Sequence, residues 1–337
     1  MTDNSTLKVD RPLLTLAIPT YNRSTYLRQL LENLEVPLRG ELRVELIVSD
    51  NCSSDDTPAL VAEFQARGMR IHSIRNAVNI GADGNFVQCY EAARGKYFWI
   101  IGDDDLLAPG AMSSILDRIQ AEEYDIIYLS QFPIKEPVGE LEHQQIRNAV
   151  EIRSAEEFAR RIHVFFTFIS ANIVNKDTIM RSHPKPFKDL TGSLLVQLGW
   201  TFAALDGFKR GLLVYDPLLG ARDNIAGGYQ LFDVFGPRLK AVAEDRISSL
   251  KVRRAIFNGT LRHYLPLFAV KYRRARIPFR EDCTPQERLT PAFRDFLSYW
   301  VFLYPVLTLP LLLAIAWYLP LHLWDRSTAR FMRWRSA

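Results

Sequence analysis

The sequence predicts an α/β domain on a mainly parallel sheet with helices on both faces, plus a C-terminal helical extension that associates with membranes. Three observations lead there. Strand-like and helix-like segments alternate from Leu13 to Ser130 with a repeat of roughly 25 to 35 residues, which requires crossover connections. Acidic and amide residues recur at the carboxyl ends of the strand-like runs, where such sheets bind ligands. Near the C-terminus, Phe296 to Trp324 contains no Asp, Glu, Lys or Arg.

The elements follow in order. "LLTLAIPTYNR" (Leu13 to Arg23) reads as a buried strand ended by Pro19. "STYLRQLLENL" has apolar residues at helical spacing, with Ser24 or Thr25 as N-cap. "RVELIVSDN" is a second strand; the helix after it starts near Pro58 and stops at Gly68. "MRIHSIRN" is a short third strand, and "GADGNFVQCYEAARG" a loop and helix ending at Gly95. "KYFWII" is a fourth strand, "PGAMSSILDRIQAE" a helix and "YDIIYLS" a fifth strand. From about Pro133 to Ala155 the chain is polar, fitting a loop or short hairpin. A helix and strand over Ser154 to Lys176, a helix over Leu190 to Leu205 and a strand from Gly211 complete the domain. The expected divisions are a tail over 1–12, the α/β domain over 13–235, a basic helical extension over 236–292 and an apolar segment with a basic tail over 293–337.

A chain of 337 residues can hold one large domain with an extension, or two domains. Its 48% hydrophobic and 24% charged residues fit a globular protein rather than a disordered one. A net charge of +4 gives no argument for nucleic acid, and none is expected as a partner. Cys52, Cys89 and Cys283 are widely spaced and odd in number, so neither a disulfide framework nor a zinc site is expected. The polar opening "MTDNSTLKVDRP" lacks the apolar stretch of a signal peptide.

"YFWIIGDDDLL" poses the central question. Asp103, Asp104 and Asp105 follow an apolar strand, and adjacent carboxylates repel one another. Either the triplet lies open to water in a turn, or it holds a cation. Mg²⁺ and Mn²⁺ favour hard oxygen ligands and commonly bridge one or two carboxylates to a substrate's phosphates.

"AIPTYNR", "IVSDNCSSDDT", "NIGADGN" and "WIIGDDD" occur in this order, each at a strand end. As a set they resemble the inverting glycosyltransferases of family 2, which have the Rossmann-like GT-A fold. The "GDDD" form after an aromatic residue is also similar to the abequosyltransferase-like bacterial subgroup, which acts in O-antigen and related polysaccharide assembly. The resemblance implies a donor linked to UDP, CDP, GDP or dTDP. It places Pro19, Tyr21 and Asn22 against base and ribose, Asp50 on the base, and Asn79 and Gly81 in the nucleotide loop. It implies Mn²⁺ or Mg²⁺ on Asp104, flanked by Asp103 and Asp105; moved by one position, the pair becomes Asp103 and Asp105. Asp103 would also face the nucleotide sugar, and Arg222 would reach its diphosphate from a closing loop. The family's base is commonly an "ED" pair, which this chain lacks at the matching place. Asp189 in "FKDLTGS" is the nearest carboxylate, unless it caps the following helix; His183 in "RSHPKP" is the second candidate.

The apolar run is long enough to cross a bilayer, which needs about 20 residues. Pro305, Pro310 and Pro320 interrupt it, and both flanks are basic: Lys271, Arg273, Arg274, Arg276 and Arg280 before it, Arg326, Arg330, Arg333 and Arg335 after it. Basic flanks on both sides suit a re-entrant or in-plane attachment to the cytoplasmic face of a bacterial inner membrane better than a single crossing; the third reading of the run is a buried hydrophobic helix or an oligomer interface. An anionic membrane surface and a lipid-linked glycan acceptor are the partners that follow. Two rival readings are a nucleotidyltransferase and a non-catalytic membrane scaffold. The first expects a glycine-rich phosphate loop after the first strand, where this chain has "PTYNRSTYL".

Overall fold

The computed structural model describes residues 11–182, 186–222, 229–274 and 281–321. Strands β1 (Leu14–Thr20), β2 (Val44–Asp50), β3 (Ile71–Arg75) and β4 (Tyr97–Ile100) alternate with helices α1 (Ser24–Leu38), α2 (Thr57–Ala66) and α3 (Gly81–Ala92). They form the parallel half of the sheet, in the order β3-β2-β1-β4. Pro19 lies beyond the last β1–β4 pairing, Ala17 with Ile100, so its missing N–H breaks no ladder bond on that side. The helix starts depend less on local caps than the sequence suggests. Arg23, not Ser24 or Thr25, holds the N-cap position of α1 without a side-chain cap bond. Asp55 instead accepts from the Ser24 N–H at 2.9 Å.

The second half of the sheet is mixed. A two-residue strand β5 (Leu106–Leu107) precedes α4 (Ala111–Ala121), and β6 (Ile126–Pro133) and β7 (Ala149–Ile152) follow. Then come α5 (Ala155–Ile162), β8 (Asn172–Asn175), α6 (Lys176–Ser182), α7 (Gln197–Asp206) and β9 (Gly211–Ala221). Strand β8 inserts antiparallel between β4 and β6, and β9 runs parallel to β6 and antiparallel to β5 and β7. The mainly parallel sheet expected from the alternation therefore describes its first four strands.

Alternation of period two puts apolar side chains on both faces. Leu16, Ile18, Leu46, Val48 and Trp99 pack with α1, α2 and α4. Ala17, Ile47, Phe98 and Ile100 pack with α3, α5 and α7. The same inner cluster continues through Leu239–Arg246, Leu250–Gly259, Leu265–Arg273 and Pro285–Phe293 to Tyr299, Leu303 and Val306.

The C-terminal apolar run divides at Leu309 and Pro310. Tyr299–Leu303 and Tyr304–Thr308 are helical and turn Tyr299, Leu303 and Val306 into the core. A final helix over 311–321 buries Ala314 and Tyr318 but exposes Leu312, Leu313, Trp317 and Leu319. Among the described residues no helix is long and apolar enough to cross a membrane. Trp324 and the basic residues after it lie outside the described residues, as do Arg276 and Arg280.

Candidate active site

Side-chain bonds tie three neighbouring strand ends together. At the end of β1, Asn22 has φ +52°, a left-handed conformation that asparagine tolerates. Its N–H donates to Ser53 Oγ at 2.9 Å, and its Oδ1 accepts from the Ser54 N–H at 2.7 Å. The loops after β1 and β2 are thereby clasped together. Pro19 is buried within β1, while Tyr21 stands exposed at the rim.

Asp50 ends β2. Its Oδ1 accepts from the Ser53 N–H at 2.9 Å. Its Oδ2 is buried, accepts no hydrogen bond and lies 3.4 Å from Arg75 Nε. One oxygen thus holds the loop, and the other is ion-paired with the Arg75 guanidinium rather than hydrogen-bonded. Next to it, Asn51 organises the third loop. Its Nδ2 donates to Asn79 Oδ1 at 2.8 Å and to the Gly81 carbonyl at 3.2 Å; its Oδ1 accepts from the Ile80 N–H at 3.0 Å. Gly81 has φ +78°, and a Cβ there would meet open space. The glycine is required by its backbone conformation rather than by a close neighbour.

The aspartate turn follows β4. Asp103 Oδ2 accepts from Thr20 Oγ1 at 2.8 Å, and its Oδ1 from Arg23 Nη1 at 2.7 Å. Asp105 Oδ2 accepts from Ser170 Oγ at 2.5 Å. The Ser170 hydroxyl also receives the Gly102 N–H at 2.9 Å. Asp104 is the most open of the three: its side chain is 16% exposed against 5% for Asp103, and its Oδ2 lies 3.3 Å from Arg23 Nη2. Burial pushes the Asp103 carboxyl up to about 6, against Arg23 and the Thr20 hydrogen bond. Burial likewise lifts Asp105 to about 7, against the Ser170 hydrogen bond.

Arg222 closes the far side. It directly follows β9 and donates to the Asp104 carbonyl and to Gln29 Oε1, with its Nε 2.6 Å from Glu136 Oε1. The Arg222 and Arg23 guanidinium groups lie 5.0 and 5.3 Å from the Tyr26 ring centre. The three carboxylates therefore neither lie open to water together nor form a ready cage. Two are satisfied internally, and two arginines supply positive charge at the turn. Among the described residues no group of three or more His, Cys, Asp or Glu side chains could hold a metal ion by itself. One accessible carboxylate still suits the usual way Mg²⁺ binds, through one or two carboxylates with substrate phosphates completing the shell.

The structure thus gathers Pro19, Tyr21, Asn22, Asp50, Asn79, Gly81, Asp103, Asp104, Asp105 and Arg222 around connected strand ends. Asp189 is exposed on the turn Phe187–Leu190, with no hydrogen bond or ion pair to the triplet, and it does not cap α7, whose N-cap is Val196. His183 lies outside the described residues. Sequence reasoning missed Arg23, although it sits in "PTYNR" itself, and Ser170, whose 65-residue separation from Asp105 leaves no local signal. It also missed Asp83, whose buried Oδ2 accepts from the Gly192 and Leu194 N–H groups at 2.8 and 3.0 Å.

Known proteins are consistent with this geometry. The chain is 37% identical over 111 residues to the abequosyltransferase RfbV of Salmonella typhimurium, covering 33% of each protein. It is 32% identical over 108 residues to the GalNAc(5)-diNAcBac-PP-undecaprenol beta-1,3-glucosyltransferase of Campylobacter jejuni, covering 32% of this chain and 34% of that one. The matches span about a third of these relatives' length. Among solved structures, residues 1–349 of S. aureus TarS in complex with UDP-GlcNAc superimpose with a TM-score of 0.62 at 14% identity, covering 92% of this chain and 89% of that one. That likeness speaks for the GT-A fold alone. The family model for glycosyl transferase family 2 matches residues 15–181, which hold β1 to β8 and the whole aspartate turn, and through this region the chain belongs to that family.

Proposed function

We propose that this protein transfers a sugar from a nucleoside-diphosphate donor to a glycan or polyprenyl-diphosphate-linked acceptor in bacterial surface polysaccharide assembly. The observation that carries the reading is the convergence of two carboxylates, Asp50 and Asp104, at the ends of β2 and β4, which the loop after β1 ties together. Asp50 Oδ2 is buried without a hydrogen bond, and Asp104 is the accessible member of the aspartate turn. A carboxylate acceptor at Asp50 suits a pyrimidine N–H. Tyr21 offers an exposed ring beside it for the base or ribose.

Asp104 would hold Mg²⁺ or Mn²⁺, with Asp103 and Asp105 fixing the turn beneath it. The cation, when bound, supplies positive charge to the departing diphosphate. Arg23, partly exposed, adds fixed positive charge beside the turn, where its fork suits phosphate oxygens; the buried Arg222 guanidinium is taken up by Glu136, Gln29 and the Asp104 carbonyl and holds the turn in place. Asp189 is kept as the base that takes the acceptor's proton. The hydrogen bonds of Asp83 fasten the segment that follows it to the start of α3, on the rim of the nucleotide loop. Asp189→Asn should lower kcat by roughly 10²- to 10⁴-fold with donor binding kept; unchanged kcat moves the base elsewhere.

Attachment is proposed at the cytoplasmic face of the inner membrane, peripheral or monotopic. It would use the exposed leucines and tryptophan of helix 311–321 together with basic residues such as Lys271, Arg273 and Arg274.

The decisive experiment is a thermal-shift and calorimetric screen with UDP, CDP, GDP and dTDP, each with and without Mn²⁺. Metal-dependent stabilisation by one nucleotide is expected, and it names the donor class. Silence with all four overturns the reading and favours the scaffold.

A further inference from the structure

A cavity lies at the start of α7. Its volume is about 150 Å³, and Leu194, Leu195, Val234, Tyr229 and Phe235 form its walls. The Tyr229 and Phe235 rings meet edge to face, 6.1 Å between centres. Gln197, the first residue of α7, is only 6% exposed and lines the same cavity. Its Nε2 donates to the Thr167 carbonyl at 3.1 Å, which anchors that end of the amide. Its Oε1 is buried and accepts no hydrogen bond. A buried acceptor left empty is unfavourable, so this oxygen calls for a donor from a ligand.

The location narrows the ligand. Thr167 stands three residues before Ser170, whose hydroxyl holds Asp105. Leu194 is fastened by Asp83 to the start of the nucleotide loop's helix. Val234 and Phe235 belong to the turn Val234–Arg238, which rests on Pro285–Phe293 so closely that a Cβ on Gly236 would come within 2.6 Å of Leu289. The cavity therefore lies between the aspartate turn and the C-terminal helices, and none of the residues expected to bind the nucleotide lines it. Apolar and aromatic walls with one oriented amide oxygen suit a sugar ring, whose C–H face is apolar and whose hydroxyls donate. The space fits a single ring rather than an oligosaccharide.

We propose that this cavity takes one sugar ring of the acceptor, with Gln197 Oε1 accepting a hydrogen bond from a ring hydroxyl. This rests on the glycosyltransferase reading. The role is positioning, away from the reacting atoms.

The test is saturation-transfer NMR on the full chain with methyl glycosides of glucose, galactose, mannose and rhamnose. UDP binding with Mn²⁺ is measured calorimetrically on the same samples. The variants are Gln197→Met, which removes the oxygen at similar volume, and Val234→Phe, which fills the space and leaves the amide in place. At least one glycoside should show ring-proton saturation in the wild type. Its affinity should fall roughly tenfold in Gln197→Met and be lost in Val234→Phe, with UDP binding unchanged in both. No glycoside signal in the wild type, or a signal that both variants keep, overturns the proposal. Displacement of the glycoside by a UDP-sugar but not by UDP assigns the ring to the donor and overturns the acceptor assignment. Glycoside binding without any UDP binding supports the cavity while sinking the transferase reading.

Discussion

Asp104 separates from its neighbours by surroundings, not by chemistry. Thr20 and Arg23 occupy both oxygens of Asp103, and Ser170 holds Asp105. Asp104→Asn should therefore cut kcat/KM by roughly 10²- to 10³-fold, the scale of losing one electrostatic contact to a developing charge. Its melting temperature should stay near that of the wild type. Full turnover of that variant in saturating Mn²⁺ would remove the metal assignment. Asp105 gives a test in the opposite sense. Burial raises its folded value to about 7, while in the unfolded chain it titrates at about 3.9. Between those values the folded chain keeps a proton that the unfolded chain has lost. This contribution to stability is complete below about pH 4 and is lost as pH rises through 7. Without metal, Asp105→Asn should melt above the wild type at pH 7.5 and close to it at pH 4.5. A wild-type advantage that grows with pH would contradict this origin. The aspartates themselves were legible because three adjacent carboxylates need an explanation on any reading. Their partners were only partly so: Arg222 was expected at the site, on the diphosphate; Arg23 stood in a quoted motif without being singled out; and Ser170 reaches the turn only through the tertiary fold.

At the scale of elements, period and punctuation located most of the structure, since each βα unit carries its own apolar spacing and its own stop, such as Gly68 with φ +94°. Strand direction was not legible in the second half of the sheet. Whether β8 enters parallel or antiparallel is set by which neighbours it reaches, and the apolar pattern of "ANIVNK" serves either way. The short strands β5 and β7 carry too few residues to show a period. The apolar run at the C-terminus shows a different limit. Its continuous hydrophobicity hides two roles, because a core-facing and a surface-facing helix have the same composition there. Leu312 is 82% exposed and Leu313 57%, whereas Tyr299 and Leu303 are fully buried. Changing Leu312, Leu313 and Leu319 to Gln should lower binding to phosphatidylglycerol vesicles by at least about tenfold. Stability should shift by no more than about 0.5 kcal/mol per site, as at other surface positions. Vesicle binding that survives all three changes would rule out this face as the attachment.

Across the whole molecule, the inner face of the sheet and the C-terminal helices share one core, and this decides how the attachment can be studied. Phe98 and Trp200 belong to the same apolar cluster as Phe293, Tyr299, Leu303 and Val306. Removing 293–337 would take four fully buried side chains out of that cluster. Each large buried side chain contributes about 2–5 kcal/mol, so the sum reaches the whole stability of a typical domain, about 5–15 kcal/mol. That truncation should aggregate, and its solubility would say nothing about membranes. Cutting after Thr308 removes from the described core chiefly Ala314 and Tyr318. It also leaves the hydrogen bond from Arg273 Nη1 to the Val306 carbonyl, at 2.6 Å, in place. The shorter truncation should melt in one cooperative transition, keep nucleotide binding and leave the membrane fraction. Two separate transitions in the full chain would mean that the C-terminal helices fold apart from the sheet. Persistent membrane association of the shorter form would place the attachment upstream, on the basic helices over 250–274.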